Sequence, residues 1–217
     1  MSLDLYYLPA SAPCRAVMLT AEAIGVTLNY KLLNIFEGEQ LTPEYEQLNP
    51  QKTIPLLVDG DYKLSESRAI MAYLVDRYGN NPRLYPTSPG ARALVNQRLH
   101  YDIGTLYKYV TACYFPVLYG KRSEYDPAMY AKLEAAFEVL DKYLDNQDYV
   151  AGRNMTIADL SLIASVTTAE AFGFEVANYD NVDKWVERVK SSAPGYRTAN
   201  GDGIELFKKI IADMRPE

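Results

Sequence analysis

The stretch LDLYYLPASAPCRAVMLTAEAIGVTLNYKLL, residues 3–33, decides the fold that we predict for the first part of the chain. Its opening apolar run, residues 3–8, ends at a proline and is typical of a buried strand. A helix is predicted over residues 13–24, because proline suits a first helical turn and a glycine follows as a C-terminal cap. Residues 28–33 are predicted to form a second strand. A strand, a helix and a strand in this order form the unit that places two strands parallel in one sheet.

The residues that follow predict an antiparallel pair of strands and another helix. Residues 56–58 and 62–64 flank the turn Asp59-Gly60-Asp61, which is a hairpin signal. A helix is predicted over residues 66–78, since apolar residues recur along one side of it. The order β-α-β followed by β-β-α is that of an α/β thioredoxin-like domain, to which we assign residues 1–80.

A change of composition predicts a second domain made of helices. GNNPRLYPTSPG, residues 79–90, holds three prolines and two glycines in twelve residues, and we assign the linker to residues 81–90. Residues 91–217 are predicted to form an all-α helical bundle. Thr156 and Asp159 match a capping box at the start of one of its helices, which is a structural role. The predicted helices cover residues 91–119, 127–144, 156–171, 182–192 and 204–214.

Composition and charge restrict the classes of function. The chain has 217 residues, of which 48% are hydrophobic and 23% are charged, as in an ordinary globular protein. Its net charge of -6 argues against nucleic acid as a partner, since an acidic surface repels phosphate backbones. The sequence has no basic cluster for anionic lipid, no apolar run of the ~18 residues that a membrane span needs, and no signal peptide.

Cysteine and histidine usage gives two further expectations. Two cysteines, Cys14 and Cys113, do not make a disulfide framework. Together with the features above, they predict a reduced, cytoplasmic protein, and the lack of a basic cluster and of an apolar span predicts no membrane partner. The single histidine, His100, excludes a zinc site built on several histidines, and we predict no metal.

The turn LPASAPCR, residues 8–15, carries the first candidate for chemistry. Ser11 lies where the predicted helix points its free N–H groups and the positive end of its dipole at a ligand. Thioredoxin-like redox proteins carry Cys-x-x-Cys in this turn, whereas this chain has Ser11-Ala12-Pro13-Cys14. A serine forms no disulfide, but its hydroxyl can donate a hydrogen bond to a thiolate that a cofactor supplies. The alternative that Ser11 is a plain helix cap stays open, and Cys14 is interpreted as a small buried apolar residue.

Two further segments are suited to a ligand that resembles a peptide. In NPQKTIP, residues 49–55, an X-Pro bond before a strand is a candidate cis bond, which leaves the preceding backbone free to pair with such a ligand. Glu66-Ser67-Arg68 begins the next predicted helix. There the serine and backbone N–H groups can bind a carboxylate while Glu66 binds an ammonium group. A helix cap with an acid in its first turn is the alternative that these residues leave open.

In this order and spacing, these segments resemble cytosolic glutathione transferases, first the insect delta class and then the epsilon class. The resemblance implies the two-domain glutathione transferase fold, a homodimer, and glutathione as co-substrate. It also implies an activity, the conjugation of glutathione to hydrophobic electrophiles in detoxification. The stretches that carry it extend over essentially the whole chain: YYLPASAPCRAV (6–17), LNPQKTIPLLVD (48–59), SESRAIMAYLVDRYG (65–79), RLHYDIGTLY (98–107), YVAGRNMTIADLSLIAS (149–165) and APGY (193–196).

The resemblance also assigns the residues of a glutathione site. Ser11 falls on the serine that donates a hydrogen bond to the glutathione sulfur and is the implied catalytic residue. The backbone of Ile54 would pair with the cysteinyl part, and the segment that begins at Glu66 falls on the γ-glutamyl site. The cofactor-binding residues assigned in this way are Gln40, Lys52, Thr53, Ile54, Pro55, Glu66, Ser67 and Arg68.

Three positions depart from the delta pattern. That pattern has histidines near the glycine carboxylate of glutathione where this chain has Gln40 and Lys52, and it has a tryptophan where this chain has Ser65. Lys52 can still pair with the carboxylate as a point charge, and Gln40 can donate an amide N–H. We therefore expect a modified glutathione site.

The helical domain would supply most of the pocket for the electrophile. Helical spacing alone favours Tyr107, Thr111, Tyr114 and Leu118, although an aromatic stripe at this spacing is more often part of a core. On the first-domain side, we expect the pocket to include Leu8, Ala12 and Pro13. On the other side, matching to the delta pattern assigns Tyr107, Phe115, Leu118, Tyr119 and Phe207.

Three other functions compete with this assignment. A glutaredoxin-like or omega-type thiol transferase needs a cysteine at position 11, where this chain has serine. A non-enzymatic carrier of hydrophobic ligands on a transferase scaffold remains an alternative, because the substitutions in the glutathione site could reduce activity. A structural or translation-associated domain on this scaffold would have a degraded Glu66-Ser67 pair, which here is intact.

Overall fold

A four-stranded mixed sheet forms the centre of the first part of the chain in the computed structural model, which describes residues 3–214. The strands are β1 (Leu3–Tyr7), β2 (Asn29–Leu32), β3 (Leu56–Asp59) and β4 (Tyr62–Ser65). They follow one another across the sheet in the order β2-β1-β3-β4. In β1, Leu5 pairs with Tyr30 of the parallel strand β2 and with Leu57 of the antiparallel strand β3. The predicted parallel pair and hairpin are therefore confirmed.

Helices connect and cover these strands: α1 (Ala12–Ile24), α2 (Pro43–Leu48) and α3 (Ser67–Tyr78). Helix α2 was not among the predicted elements, because six residues are too few to show a periodic pattern. It begins with a proline in its first turn, after Thr42, whose hydroxyl accepts a hydrogen bond from the backbone N–H of Tyr45 at 3.3 Å. The whole arrangement is the predicted thioredoxin-like one.

Helices make up the second part of the chain, as predicted: α4 (Pro89–Tyr101), α5 (Tyr107–Leu118), α6 (Pro127–Tyr143), α7 (Ile157–Ala171), α8 (Asp180–Ser192) and α9 (Asp202–Met214). The single long helix predicted over residues 91–119 is interrupted. A π-helical turn, Asp102–Leu106, joins α4 to α5, and a second one, Arg197–Gly201, precedes α9. Such turns are rare and often lie at functional sites.

Helix α7 is the centre of the second part, with every residue from Ile157 to Ala169 buried. The predicted capping box is present, since the backbone N–H of Thr156 donates to Asp159 at 2.8 Å while the Thr156 hydroxyl accepts from the first turn. Helix α7 packs against α1, so polar side chains on this side of α7 face the first part of the chain. Within residues 3–214, no helix combines the length and apolar character that a membrane crossing needs.

Candidate functional site

Ser11 is placed at the start of α1 by a sharp turn that follows β1. Its backbone N–H donates to the carbonyl of Leu8 at 3.0 Å, and its own carbonyl accepts from the N–H of Arg15 at 2.9 Å. Its backbone is extended (φ -76°, ψ 120°), as expected at an N-cap position, but its side chain accepts no capping hydrogen bond from the described part of the helix. The plain helix-cap alternative therefore does not describe how the hydroxyl is used, and the hydroxyl interacts instead with the Cys14 thiol.

Cys14, one turn along α1, is fully buried. Burial raises the pKa of its thiol to about 11, although hydrogen bonds from the Ser11 hydroxyl and the Leu8 backbone act in the opposite direction. The thiol is therefore protonated at neutral pH and is a poor nucleophile. This confirms its interpretation as a small buried apolar residue.

All three segments singled out in the sequence contribute to one cleft beside the start of α3. We call this the polar cleft, and it is lined by Pro13, Thr53, Ile54, Pro55, Glu66, Ser67, Arg68, Ile103 and Tyr107. The Ile54–Pro55 peptide bond is cis. The loop before it is fixed from behind, because the carbonyl of Thr53 accepts from Tyr45 Oη at 2.7 Å and from Asn49 Nδ2 at 2.8 Å.

Glu66 lies at the rim of this cleft in a strained backbone conformation. It is exposed and has φ 69° and ψ 103°, a region that residues other than glycine seldom adopt. Such a conformation costs about 1–3 kcal/mol and occurs most often at functional sites. Its side chain forms no cap with α3, while the neighbouring Ser67 is buried. Both residues line the cleft, Glu66 as an exposed residue and Ser67 as a buried one.

A buried network holds the floor of the cleft. Arg68 donates from Nη1 to Ser67 Oγ at 2.9 Å and from Nη2 to Asp102 Oδ2 at 2.5 Å. Asp102, the first residue of the π-helical turn after α4, is fully buried and also accepts from the hydroxyls of Ser165 (2.7 Å) and Ser161 on α7. Sequence reasoning missed Asp102 and the two serines that donate to it, because nothing local marks contacts between residues so far apart along the chain.

An apolar cavity adjoins the polar cleft. It is lined by every predicted pocket residue except Pro13. Pro13 faces the polar cleft instead, because consecutive residues of α1 point in different directions. The remaining lining residues were not predicted as pocket members: Ala10, Ser11, Ile35, Phe36 and Thr168. We call this space the acceptor cavity.

Two residues suggested by helical spacing alone lie outside this cavity. The ring of Tyr114 is buried and stacks on Phe172, with 4.5 Å between ring centroids. Thr111 donates its hydroxyl proton to the carbonyl of Lys108 at 2.9 Å. The matched pattern thus placed more residues on the lining than periodicity, because Tyr114 belongs to the core and Thr111 to a partly exposed side of α5.

Tyr107 forms the wall that the polar cleft and the acceptor cavity share. The guanidinium carbon of Arg68 lies 5.6 Å from the centre of its ring. Burial raises the pKa of Tyr107 to about 12, against the opposite effect of the Arg68 and Arg15 charges. Its hydroxyl is therefore protonated at neutral pH, and it separates two spaces with different polarity.

Gln40 and Lys52 lie away from the lining of the polar cleft. Lys52 has φ 55°, and its ammonium group lies 3.0 Å from Glu46 Oε2. Gln40 donates from Nε2 to the carbonyl of Ile35 at 3.3 Å, while its buried Oε1 has no partner within residues 3–214. It lines an outer groove that shares Phe36 with the acceptor cavity. Their contact with a glycine carboxylate stays a prediction.

Comparison with known proteins gives matches over nearly the whole chain. Residues 5–82 match the model of the glutathione S-transferase N-terminal domain, and residues 104–193 match that of the C-terminal domain. The chain is 45% identical to a delta-class glutathione transferase from Nilaparvata lugens, with a TM-score of 0.95 over 98% of this chain and 99% of that one.

Two other solved structures are informative. An epsilon-class glutathione S-transferase from the housefly, Musca domestica, is 32% identical, with a TM-score of 0.92 over 98% of each chain. A glutathione transferase homologue from Drosophila mojavensis, solved with bound glutathione, is 34% identical, with a TM-score of 0.91 over 99% of this chain and 98% of that one. All three superpose on both the sheet and the helical part.

Proposed function

Since this chain belongs to the glutathione S-transferase family, we propose that it joins the thiolate of glutathione, stabilised by Ser11, to hydrophobic electrophiles in a detoxification reaction. The observation that carries the proposal is the position of the Ser11 side chain. Its hydroxyl does not cap α1, and Ser11 is one of the residues that line an apolar cavity, which shares the wall residue Tyr107 with a polar cleft. A nucleophile bound in the cleft and an apolar acceptor in the cavity would meet beside Ser11.

The polar cleft has the chemistry that the γ-glutamyl end of glutathione requires. That end carries a carboxylate and an ammonium group on one carbon. Ser67 and the first N–H groups of α3 suit the carboxylate, and the exposed carboxylate of Glu66 suits the ammonium group. The backbone of Ile54, beside its cis bond to Pro55, suits the cysteinyl part. The bound glutathione of the Drosophila mojavensis homologue supports glutathione as the co-substrate.

The proposed activation of the thiol is energetically sufficient. A thiol with a pKa of ~8.5 is only about 3% thiolate at pH 7. Lowering that pKa by ~2 units requires ~2.7 kcal/mol. A hydrogen bond to a charged group contributes ~1.5–3 kcal/mol, and a helix N-terminus contributes ~0.3–1 kcal/mol. The Ser11 hydroxyl supplies the hydrogen bond, and the start of α1 supplies the helix N-terminus.

One assay tests the proposal against the carrier alternative. A generic aryl halide accepts the thiolate by forming a carbon–sulfur bond, and the halide leaves with the electrons of the broken carbon–halogen bond. We expect turnover with glutathione that exceeds the uncatalysed rate and saturates in both substrates. A protein that binds the aryl halide and glutathione without accelerating their reaction would be a carrier.

We further propose that the protein acts as a cytoplasmic homodimer. A groove between α3 and α4 has apolar residues in its lining, of which Ile103 is 40% exposed. Its full lining is Glu66, Arg68, Ala69, Ala72, Tyr85, Asn96, Leu99, His100 and Ile103. Exposed apolar side chains beside a groove are typical of protein interfaces, and a second copy of this chain is the occupant that family membership favours. Sedimentation analysis of the purified protein should give twice the mass of one chain, and a monomer at micromolar concentration would contradict the proposal.

A further inference from the structure

Arg15, in the first turn of α1, is a fully buried cation whose partners are all neutral. Its Nη1 donates to Thr167 Oγ1 at 3.2 Å and to Asn200 Oδ1 at 2.7 Å. Its Nη2 donates to Thr168 Oγ1 at 2.5 Å and to the carbonyl of Ala164 at 3.2 Å. The guanidinium therefore lies between α1, α7 and the π-helical turn before α9, surrounded by hydroxyl, amide and carbonyl oxygens.

No carboxylate within residues 3–214 neutralises this charge by an ion pair. This distinguishes Arg15 from Arg68, which is paired with Asp102. Burial lowers the pKa of Arg15 to about 10, so the side chain still carries its charge at neutral pH. An unpaired buried charge is costly, and its field extends further in a medium of low dielectric constant than it would in water.

The charge lies directly behind the acceptor cavity. Thr168, which accepts the 2.5 Å hydrogen bond from Arg15, is itself one of the residues that line the cavity. Ser11, another lining residue, accepts from the backbone N–H of Arg15. The Thr168 hydroxyl donates its own proton to the carbonyl of Ala164 at 2.7 Å, so it is held in place and cannot turn into the cavity as a donor. Arg15 therefore acts on the cavity through the electric field of its guanidinium and not through a hydrogen bond from Thr168.

The guanidinium has little freedom to move. Gly203, near the start of α9, packs so closely on it that an added Cβ would lie 2.7 Å from Arg15 Cδ and 2.4 Å from the carbonyl oxygen of Pro9. One turn further along α9, Phe207 lines the same cavity. A charge that is fixed before the reaction stabilises a developing anion without reorganisation of its surroundings. Because the close approach at Gly203 holds the guanidinium in place, it favours an electrostatic role for Arg15.

We propose that Arg15 assists the reaction through the charge of its guanidinium. This group lies one hydrogen bond behind the cavity wall and stabilises the negative charge that moves from the glutathione sulfur onto the electrophile. The acceptors favoured by such a site are those that hold the charge, such as nitroaryl halides and α,β-unsaturated carbonyl compounds. The inference rests on the proposed function and deepens it, because it assigns to Arg15 the stabilisation of the charge on the electrophile.

In both reactions, negative charge develops on the electrophile while it is bound in the cavity. With a nitroaryl halide, the carbon–sulfur bond forms, the ring and nitro groups hold the electron pair, and the halide then leaves with the pair of the carbon–halogen bond. With an α,β-unsaturated carbonyl, sulfur adds to the β carbon, the π electrons move to the carbonyl oxygen, and water protonates the resulting enolate.

An equilibrium measurement tests the inference without turnover. 1,3,5-Trinitrobenzene adds a thiolate and loses no group, so glutathione forms a coloured anionic adduct with it whose formation constant can be measured on the protein. We expect Arg15→Gln to lower this constant by about tenfold to a hundredfold, as a buried charge a few ångströms away should. Arg15→Lys, which keeps the charge, should recover part of the loss. The thiolate fraction of bound glutathione, measured by its absorbance in the same variants, should change less.

Arg98→Gln is the matched control. Arg98 is, like Arg15, a buried arginine. It donates to the carbonyl of Val150 at 2.8 Å, lies over the ring of Tyr143 and does not line the cavity. Its loss should leave the adduct constant unchanged. A folded Arg15→Gln protein with the wild-type constant, or an equal loss in Arg98→Gln, would overturn the inference.

A second measurement uses the wild-type protein, so it remains decisive if Arg15→Gln does not fold. The glutathione site is filled with S-methylglutathione, which carries no thiolate charge, and the pKa of bound 4-nitrophenol is measured from its colour. An apolar cavity alone would raise this pKa, whereas a guanidinium behind the wall should lower it. A raised or unchanged pKa, or failure of 4-nitrophenol to bind, would contradict the inference. A lowered pKa in a protein that does not turn over aryl halides would refute the proposed function and leave the charge assignment intact.

Discussion

Arg68 and Asp102 form a buried ion pair, 2.5 Å from Nη2 to Oδ2, which ties the start of α3 to the π-helical turn between α4 and α5. The same guanidinium donates to Ser67, a floor residue of the polar cleft. The ion pair therefore connects the position of Ser67 to the second part of the chain. Because one arginine serves both contacts, a change at Asp102 should reach glutathione binding.

Asp102→Asn should weaken glutathione binding several-fold and destabilise the fold. Removing one partner of a buried ion pair leaves the other uncompensated and costs about 3–5 kcal/mol. Asp76→Asn is the control, since Asp76 pairs with Arg92 at 2.8 Å but is 47% exposed, and exposed pairs contribute about 0–1 kcal/mol. Urea unfolding and glutathione titration should separate the two variants, and equal stability losses would contradict a structural role of the Arg68–Asp102 pair.

Ser11→Ala should lower kcat by about 10–100-fold with a smaller effect on the KM for glutathione, because the lost hydrogen bond is stronger to thiolate than to thiol. The pKa of bound glutathione should rise, so the rate should level off at a higher pH than in the wild type. Ser88→Ala is a matched control, because Ser88 also precedes a helix without capping it and lies outside the acceptor cavity. An unchanged kcat and pH profile in Ser11→Ala would exclude Ser11 as the activating residue.

Glu66 offers a test in which binding and stability move in opposite directions. Glu66→Gly should relieve the strain at φ 69° and stabilise the fold by about 1 kcal/mol, while the loss of the carboxylate weakens glutathione binding. Glu66→Ala should weaken binding to the same degree without the gain in stability. Thermal unfolding and glutathione titration of both variants check this. Wild-type affinity in both, together with wild-type affinity in Ser67→Ala, would refute the γ-glutamyl assignment.

The local parts of this site could be predicted from the sequence. The turn at Ser11 and the start of α3 at Ser67 are read from prolines, helix-start signals and apolar runs within about ten residues. Periodicity alone found the cavity residues Tyr107 and Leu118 on α5, but it also selected Tyr114, which is buried in the core, and the family pattern was needed for Phe115. The π-helical turn before α5 shifts the helix faces in a way that a regular 3.6-residue period does not describe.

The distant parts of the site could not be predicted. Asp102 meets Arg68 across 34 positions in the chain, and Thr168 meets Arg15 across 153. Phe36 lies in a loop after β2 without a regular pattern, yet it lines the acceptor cavity. These contacts depend on how α7 and the loop pack against α1, which no local spacing specifies.

Cys14 predicts a pH dependence of stability. A thiol in an unfolded chain titrates near ~8.5, whereas burial raises the pKa of Cys14 to about 11. Between these values the unfolded chain has released a proton that the native protein retains, so this group makes stability fall as pH rises. The stability difference between wild type and Cys14→Ala should therefore shrink from pH 8 to pH 10 in urea unfolding. A constant difference would show that the thiol titrates equally in both states.

The last prediction concerns Lys52, which the structure pairs with Glu46. Its ammonium group lies 3.0 Å from Glu46 Oε2, and the two side chains are 34% and 51% exposed. If Lys52 binds the glycine carboxylate of glutathione, that carboxylate must compete with Glu46. Lys52→Ala should then raise the KM for glutathione with little change in kcat, by an amount typical of a partly exposed ion pair, ~0.5–2 kcal/mol.

Glu46→Gln should have the opposite effect, because it releases Lys52 and should lower the KM for glutathione. Both effects should shrink with added salt, since the contact lies near solvent. Because this chain has a lysine where the delta pattern has a histidine, the KM should also be nearly flat between pH 6 and 8 apart from the ionisation of the glutathione thiol. The measurement is the KM of wild type, Lys52→Ala and Glu46→Gln at low and high salt. Equal values in all six conditions would mean that Lys52 is a solvated loop residue whose contact with Glu46 has no part in binding.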